Sequence, residues 1–106
     1  MVVMIRILLA CNAGMSTSLL VKKMQEAATQ QHIEAEIWAV PEAELFDEWT
    51  RADFVLLGPQ IGYMKDEIEE IIQGKIPVQV IDMKDYGRMD GTKVLLTVVE
   101  QLGSAS

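Results

Sequence analysis

Cys11 is the single cysteine of the chain, and it stands where the apolar, β-forming run Val2 to Ala10 gives way to Asn12-Ala13-Gly14-Met15-Ser16-Thr17-Ser18. A lone thiol forms no internal disulfide, and Cys11 with His32, the only histidine, cannot build a zinc site. Its chemistry is that of a nucleophile. The residues after it are mostly small and end in the consecutive hydroxyls Ser16, Thr17 and Ser18. Such a segment can turn several backbone N–H groups inward at the positive end of a following helix. That nest binds a phosphate, and it lowers a thiol pKa because the thiolate is the charged form. A thiolate, donors for the equatorial phosphate oxygens and a helix dipole behind them are the parts needed to accept a phosphoryl group. The competing reading is that Cys11 is a small core hydrophobe, since free cysteine is among the most buried residue types. Its place at a strand end favours chemistry.

The spacing can be set against a known phosphate chemistry. Low-molecular-weight tyrosine phosphatases carry Cys, five residues, Arg, then Ser or Thr at this place; here Thr17 occupies the arginine's place and Ser18 matches the hydroxyl. Without the bidentate grip of arginine, hydrolysis of a phosphocysteine is slow. That is a defect in a phosphatase and an advantage in a carrier. Asp82 and Asp85, with Tyr86 and Arg88, follow the last apolar run and offer either a general acid or a turn cap. His32 falls at the far end of the first helix, about 20 Å from the cysteine at ~1.5 Å per residue, and reads as a surface histidine. The methionines at helical spacing read as core filler.

The elements that would position these residues follow from periodicity. Apolar runs at Val2–Ala10, Ile33–Val40, Phe54–Leu57 and Val78–Ile81 alternate with helical patterns. The first helix, from Ser16 to about Gln31, places Leu19, Leu20, Met24, Ala27 and Ala28 on one side. Pro41 suits the first position of a short second helix that buries Leu45, Phe46 and Trp49. Gly58-Pro59 stops the third strand, a helix from Ile61 to Ile72 follows, and Gly74 suits its C-cap. Asp90 caps a last helix carrying Val94, Leu95, Val98, Val99 and Leu102. The β-α-β-α-β-α-β-α order predicts an open four-stranded parallel sheet of order 2-1-3-4 with helices on both faces. In such a sheet the ligand lies beyond the carboxyl ends of strands 1 and 3, where Cys11 and Gly58-Pro59-Gln60 fall. With 106 residues, half of them hydrophobic, the chain reads as a single domain over residues 1–103 with a frayed tail over 104–106.

Nine Lys and Arg against sixteen Asp and Glu give a formal charge of −7, which disfavours nucleic acid and anionic membrane surfaces as partners. The charges are unevenly spread. Neither Ile7 to Val21 nor Phe54 to Met64 holds an Asp, Glu, Lys or Arg. Buried strands account for part of this. The remainder predicts a neutral pole that a dianionic phosphate can approach. The basic residue of the apolar start, Arg6, lies in its middle rather than at its front, unlike a secretory signal, and no stretch approaches a membrane span. The expected location is the cytoplasm.

Cys11-Asn12-Ala13-Gly14-Met15-Ser16-Thr17-Ser18-Leu19-Leu20-Val21 resembles the phosphorylation loop of the enzyme IIB subunits of the bacterial phosphoenolpyruvate-dependent sugar phosphotransferase system. The similarity is to the lactose/cellobiose class, on its cellobiose and diacetylchitobiose side. It continues in Leu56 to Met64, Ile81-Asp82 and Tyr86 to Gly91, with Asn12 a departure from the small residue expected there. The resemblance implies the fold of the low-molecular-weight tyrosine phosphatases and a phosphotransferase role. Cys11 would accept phosphate from a phosphohistidine of a IIA partner and pass it to a sugar bound by a membrane IIC partner. The implied sugar is a β-linked disaccharide, with transient association at the inner membrane face. Asn12, Ala13, Gly14, Met15, Ser16, Thr17 and Ser18 would cradle the phosphate, and Gly58, Pro59, Gln60 and Tyr86 would border the docking surface. Neither a metal nor an organic cofactor is implied.

Overall fold

The computed structural model describes residues 4–12 and 14–104. Four parallel strands, β1 (Ile5–Cys11), β2 (Ala35–Pro41), β3 (Phe54–Leu57) and β4 (Val78–Val80), form one sheet of order β2-β1-β3-β4. The order matches the sequence expectation. In register, Cys11 lies opposite Pro41, Ala10 opposite Leu57, and Leu57 opposite Val80, so the strands end together at one pole.

Alternation along the strands divides the core in two. Ile7, Leu9, Ile37, Phe54 and Leu56 pack beneath α1 (Gly14–Gln30) and α5 (Gly91–Ser104). Leu8, Ala10, Val55, Leu57 and Val78 face the other way, against α2 (Glu42–Glu48) and α3 (Lys65–Ile72). Both faces are therefore covered, which is why β3 and β1 from Ile7 onward read as unbroken apolar runs. On α1 the buried stripe is Leu20, Val21, Met24, Ala27 and Ala28, while Leu19 is turned outward.

Several boundaries differ from the sequence reading. Strand β1 takes in Cys11 itself; Val2 and Val3, expected in this strand, lie outside the described residues. Helix α1 begins at Gly14, so Ser16, Thr17 and Ser18 belong to its first turns and not to a loop. Pro41 ends β2 and caps α2, one residue before the expected position. The segment after β3 is two pieces: a 3-10 helix over Pro59–Met64, then α3. Ile61 breaks the helical geometry at φ −116°, ψ 20°. At the end of α3 it is Gln73 that takes the left-handed cap, φ 57°, with Gly74 following at φ 72°. Helix α5 continues through Gly103 to Ser104, into the expected tail; residues 105–106 lie outside the described residues.

A short helix, α4 (Met83–Gly87), was not expected. Asp82 creates it: its carboxylate accepts from Lys84 N at 2.9 Å and Asp85 N at 3.3 Å, satisfying N–H groups that a helix start leaves open. Asp90 caps α5 as its sequence position suggests, accepting from Lys93 N at 3.0 Å.

Candidate functional site

Cys11 closes β1 at the central position of the sheet's carboxyl edge and is only 2 % exposed. Polar side chains from separate parts of the chain reach its sulfur. The side-chain oxygen of Gln60 lies 3.6 Å from Sγ, that of Asn12 3.7 Å, and the Tyr86 hydroxyl 3.8 Å. Asn12 and Gln60 are exposed, whereas Tyr86 is buried, so the amides stand on the solvent side and the phenol on the protein side.

Gly58 forms the floor next to the thiol. A Cβ built there would lie 3.0 Å from Cys11 Sγ and 3.0 Å from Gln60 Oε1. Pro59 then starts the 3-10 helix that turns Gln60 back over the sulfur. Gly58 is buried, Pro59 half-buried and Gln60 exposed, so only the last two present surface to a partner.

Tyr86 is placed differently from the expectation. It was expected at the rim, but it is 8 % exposed, and its hydroxyl lies between Cys11 Sγ and the buried Thr17 Oγ1, 3.4 Å away. The physical reason is α4. Once Asp82 starts a helix, the fourth residue after it is carried inward over the carboxyl edge of the sheet. Asp85, on the same helix, is buried and pairs with Lys93 of α5 at 3.3 Å, while its carbonyl accepts from Asp90 N at 2.9 Å. Both aspartates are thus spent on structure, one as a cap and one as a tie, and neither reaches the thiol among the described contacts. Thr17, in the phosphatase arginine's place, offers a neutral hydroxyl where a guanidinium would bring charge.

Of the residues expected to hold phosphate, Gly14, Met15 and Ser16 supply the first backbone N–H groups of α1, and Thr17 stands in the same turn. A helix leaves these donors without internal partners. Ala13 lies outside the described residues. The helix starts at this pole are not alike electrostatically. Helices α2, α3 and α4 carry acids in their first turns, Asp90 caps α5, and α1 has no acid in its first turn. Among the described residues, α1 is the helix at this pole whose positive end no first-turn or capping acid opposes, which favours an anion there. Sequence reasoning missed Glu42, which follows Pro41 at this same edge and holds a buried Oε2 without a hydrogen-bond partner among the described residues. Its signal was the Pro-Glu start of a helix beside the cysteine's strand.

His32 is exposed at the far end of α1, as expected from the helix length. Among the described residues no cluster of three or more His, Cys, Asp or Glu could hold a metal ion, and no helix is long and apolar enough to cross a membrane.

The fold and site define a doubly wound α/β domain with a thiol at its topological switch point, beside a helix start that has no acid in its first turn. Residues 6–97 match the family model described as the lactose/cellobiose-specific IIB subunit of the PTS. Over 89 residues the chain is 52% identical to the PTS oligo-β-mannoside-specific EIIB component of Bacillus subtilis (strain 168), covering 83% of this chain and 86% of that protein. It is 45% identical over 95 residues to the PTS galactose-specific EIIB component of Lactococcus lactis subsp. cremoris (strain MG1363), covering 84% and 88% respectively. The solution structure of the cellobiose-specific phosphotransferase IIB component from Borrelia burgdorferi superposes with a TM-score of 0.80 at 41% identity, covering 98% of this chain and 96% of that one. The chain belongs to the lactose/cellobiose-specific IIB subunit family of the phosphotransferase system.

Proposed function

We propose that this protein carries phosphate on Cys11 between two partners of a sugar phosphotransferase system. In the first transfer the Cys11 thiolate attacks the phosphorus of a phosphohistidine on a IIA partner. The S–P bond forms, and the P–N electron pair returns to the imidazole. In the second, a hydroxyl of a sugar bound by a membrane IIC partner attacks the phosphorus. The S–P pair returns to sulfur, and the hydroxyl proton leaves to a base on the partner or in solvent. The backbone of residues 12–18 holds the phosphate, and Pro59 and Gln60 border the docking surface. The protein would work at the cytoplasmic face of the membrane.

The observation that carries this reading is the placement of Cys11 at the end of β1 beside the acid-free start of α1. Negative charge arriving at the thiol meets backbone donors and no carboxylate from that helix. A neutral Thr17 in place of arginine favours a phosphocysteine that waits for its acceptor. The relatives are named for oligo-β-mannosides and galactose, and the superposed structure for cellobiose. A β-linked disaccharide is the sugar class we assign.

The test is incubation with the general phosphorelay proteins and phosphoenolpyruvate, followed by mapping of the phosphate. We expect it on Cys11 and none in Cys11→Ser. Phosphate on His32, or none in the unaltered protein, overturns the reading. Turnover of an aryl phosphate would make the protein a phosphatase instead.

A further inference from the structure

Asn12 and Gln60 bring two side-chain amides to one sulfur, and a thiol cannot satisfy both. Asn12 Oδ1 is 3.7 Å and Gln60 Oε1 3.6 Å from Cys11 Sγ. The S–H group has one hydrogen and donates it to one acceptor at a time. When the thiol ionises, that hydrogen is gone, and two partially negative oxygens would face a full negative charge. Each amide, however, carries an NH2 group on the same carbon. A half-turn about its terminal torsion puts a donor where the oxygen was, and that torsion is soft. Both residues are exposed, so the turn meets no packed core.

We propose that Asn12 and Gln60 form a charge-responsive clamp on Cys11. Their oxygens face the thiol, and their nitrogens turn in to face the thiolate and, once it is attached, the phosphate. The thiolate half stands on the geometry alone; the phosphate half rests on the carrier reading above. The clamp answers to Cys11 because few other charges face it. Helix α1 offers no charged side chain before Lys22, and the segment from Phe54 through Met64 has none. From β2 and α2 comes Glu42. From α4 comes the Tyr86 hydroxyl, with Asp82 and Asp85 engaged in the cap and in the Lys93 pair.

The inference gives Asn12 a role for its side chain, where the family resemblance assigns only its backbone. It also explains why neutral amides, and not carboxylates of the same shape, suit these positions. Aspartate or glutamate presents only acceptors once ionised and cannot turn to donate.

The test uses the isotope-labelled full chain. The Asn12 and Gln60 side-chain NH2 signals are followed by NMR against pH, with thiol ionisation read independently from the rate of alkylation by iodoacetamide. We expect both signals to move with the alkylation midpoint and to stay still in Cys11→Ser. Asn12→Ala and Gln60→Ala each remove a donor to the thiolate and raise that midpoint by about half a pH unit. Asn12→Asp and Gln60→Glu add a like charge and raise it by about one pH unit or more. Signals that stay still through the midpoint, or carboxylate variants that ionise like the unaltered protein, overturn the clamp. After the phosphorelay reaction the same NH2 signals should move again. If phosphate is on Cys11 and they do not, the phosphate half is overturned. If no phosphate reaches Cys11, the carrier reading fails while the titration still decides the thiolate half.

Discussion

At the scale of single residues the site is set by space as much as by chemistry. Gly58 has φ −59° and ψ 148°, a conformation open to any residue, so its backbone does not require glycine. The thiol does: a Cβ would lie 3.0 Å from both Cys11 Sγ and Gln60 Oε1. Gln60 is a flexible exposed side chain and gives way, which costs little stability, but the sulfur is then displaced or Gln60 is lifted off it. Gly58→Ala should therefore keep its melting temperature within a few degrees and slow phosphate acceptance about tenfold or more, since misplacement of a reacting atom is costly. Rates and thermal unfolding measured side by side check this; an unaltered rate would show that the close approach is irrelevant. Cys11 and Gly58-Pro59-Gln60 were legible in the sequence because the strand order alone places their two loops together. The position of Tyr86 was not. Seventy-five residues separate it from Cys11, and it arrives on a five-residue helix too short to show a period.

At the scale of elements, the start of α5 is the joint that fixes Tyr86. Asp85 and Lys93 tie α4 to α5, and α5 in turn lies hard against α1 at Gly91. A Cβ on Gly91 would come within 2.5 Å of the Lys23 carbonyl carbon and the Met24 nitrogen. Those are helix backbone atoms and cannot step aside, so the two helices must separate. Gly91→Ala should destabilise the fold by about 1–3 kcal/mol. For a domain of this size that lowers Tm by about 10 °C. Because Tyr86 and Thr17 sit on the two sides of this joint, the variant should also show slower thiol chemistry below its melting point. A variant as stable as the original would mean that the helices slide at no cost. Strands and long helices were readable because burial on one or two faces leaves a period in the sequence. The start of α1 was not, because small and hydroxyl residues serve equally in a loop or in a helix's first turn. Nor was the 3-10 helix before α3, whose apolar positions Ile61 and Met64 fit either helical spacing.

At the scale of the whole molecule, the charge of −7 is unevenly spread: the two segments that meet at Cys11, Ile7 to Val21 and Phe54 to Met64, hold none of it, while acids stand at the starts of α2, α3 and α4 around them. Two large apolar side chains stand exposed there: Tyr63, 81 % exposed, in the 3-10 helix after β3, and Met83, 76 % exposed, at the start of α4 after β4. Exposed apolar side chains and charge-free segments beside a buried thiol suit a protein that must meet two partners in turn, with modest interfaces that form and release quickly. If the pole matters and not the total charge, the same added charge must act differently by location. Tyr63→Glu puts a carboxylate beside the path of an incoming phosphate. Ile71→Glu puts one near the far end of α3, which runs away from this pole, at a side chain 44 % exposed. Both add one negative charge. Tyr63→Glu should slow phosphate acceptance from the IIA partner about tenfold, with a larger effect at low salt, while Ile71→Glu should leave the rate unchanged. Equal slowing in both would mean that the partner senses the molecule's overall field, and the two charge-free segments would then be only a by-product of buried strands.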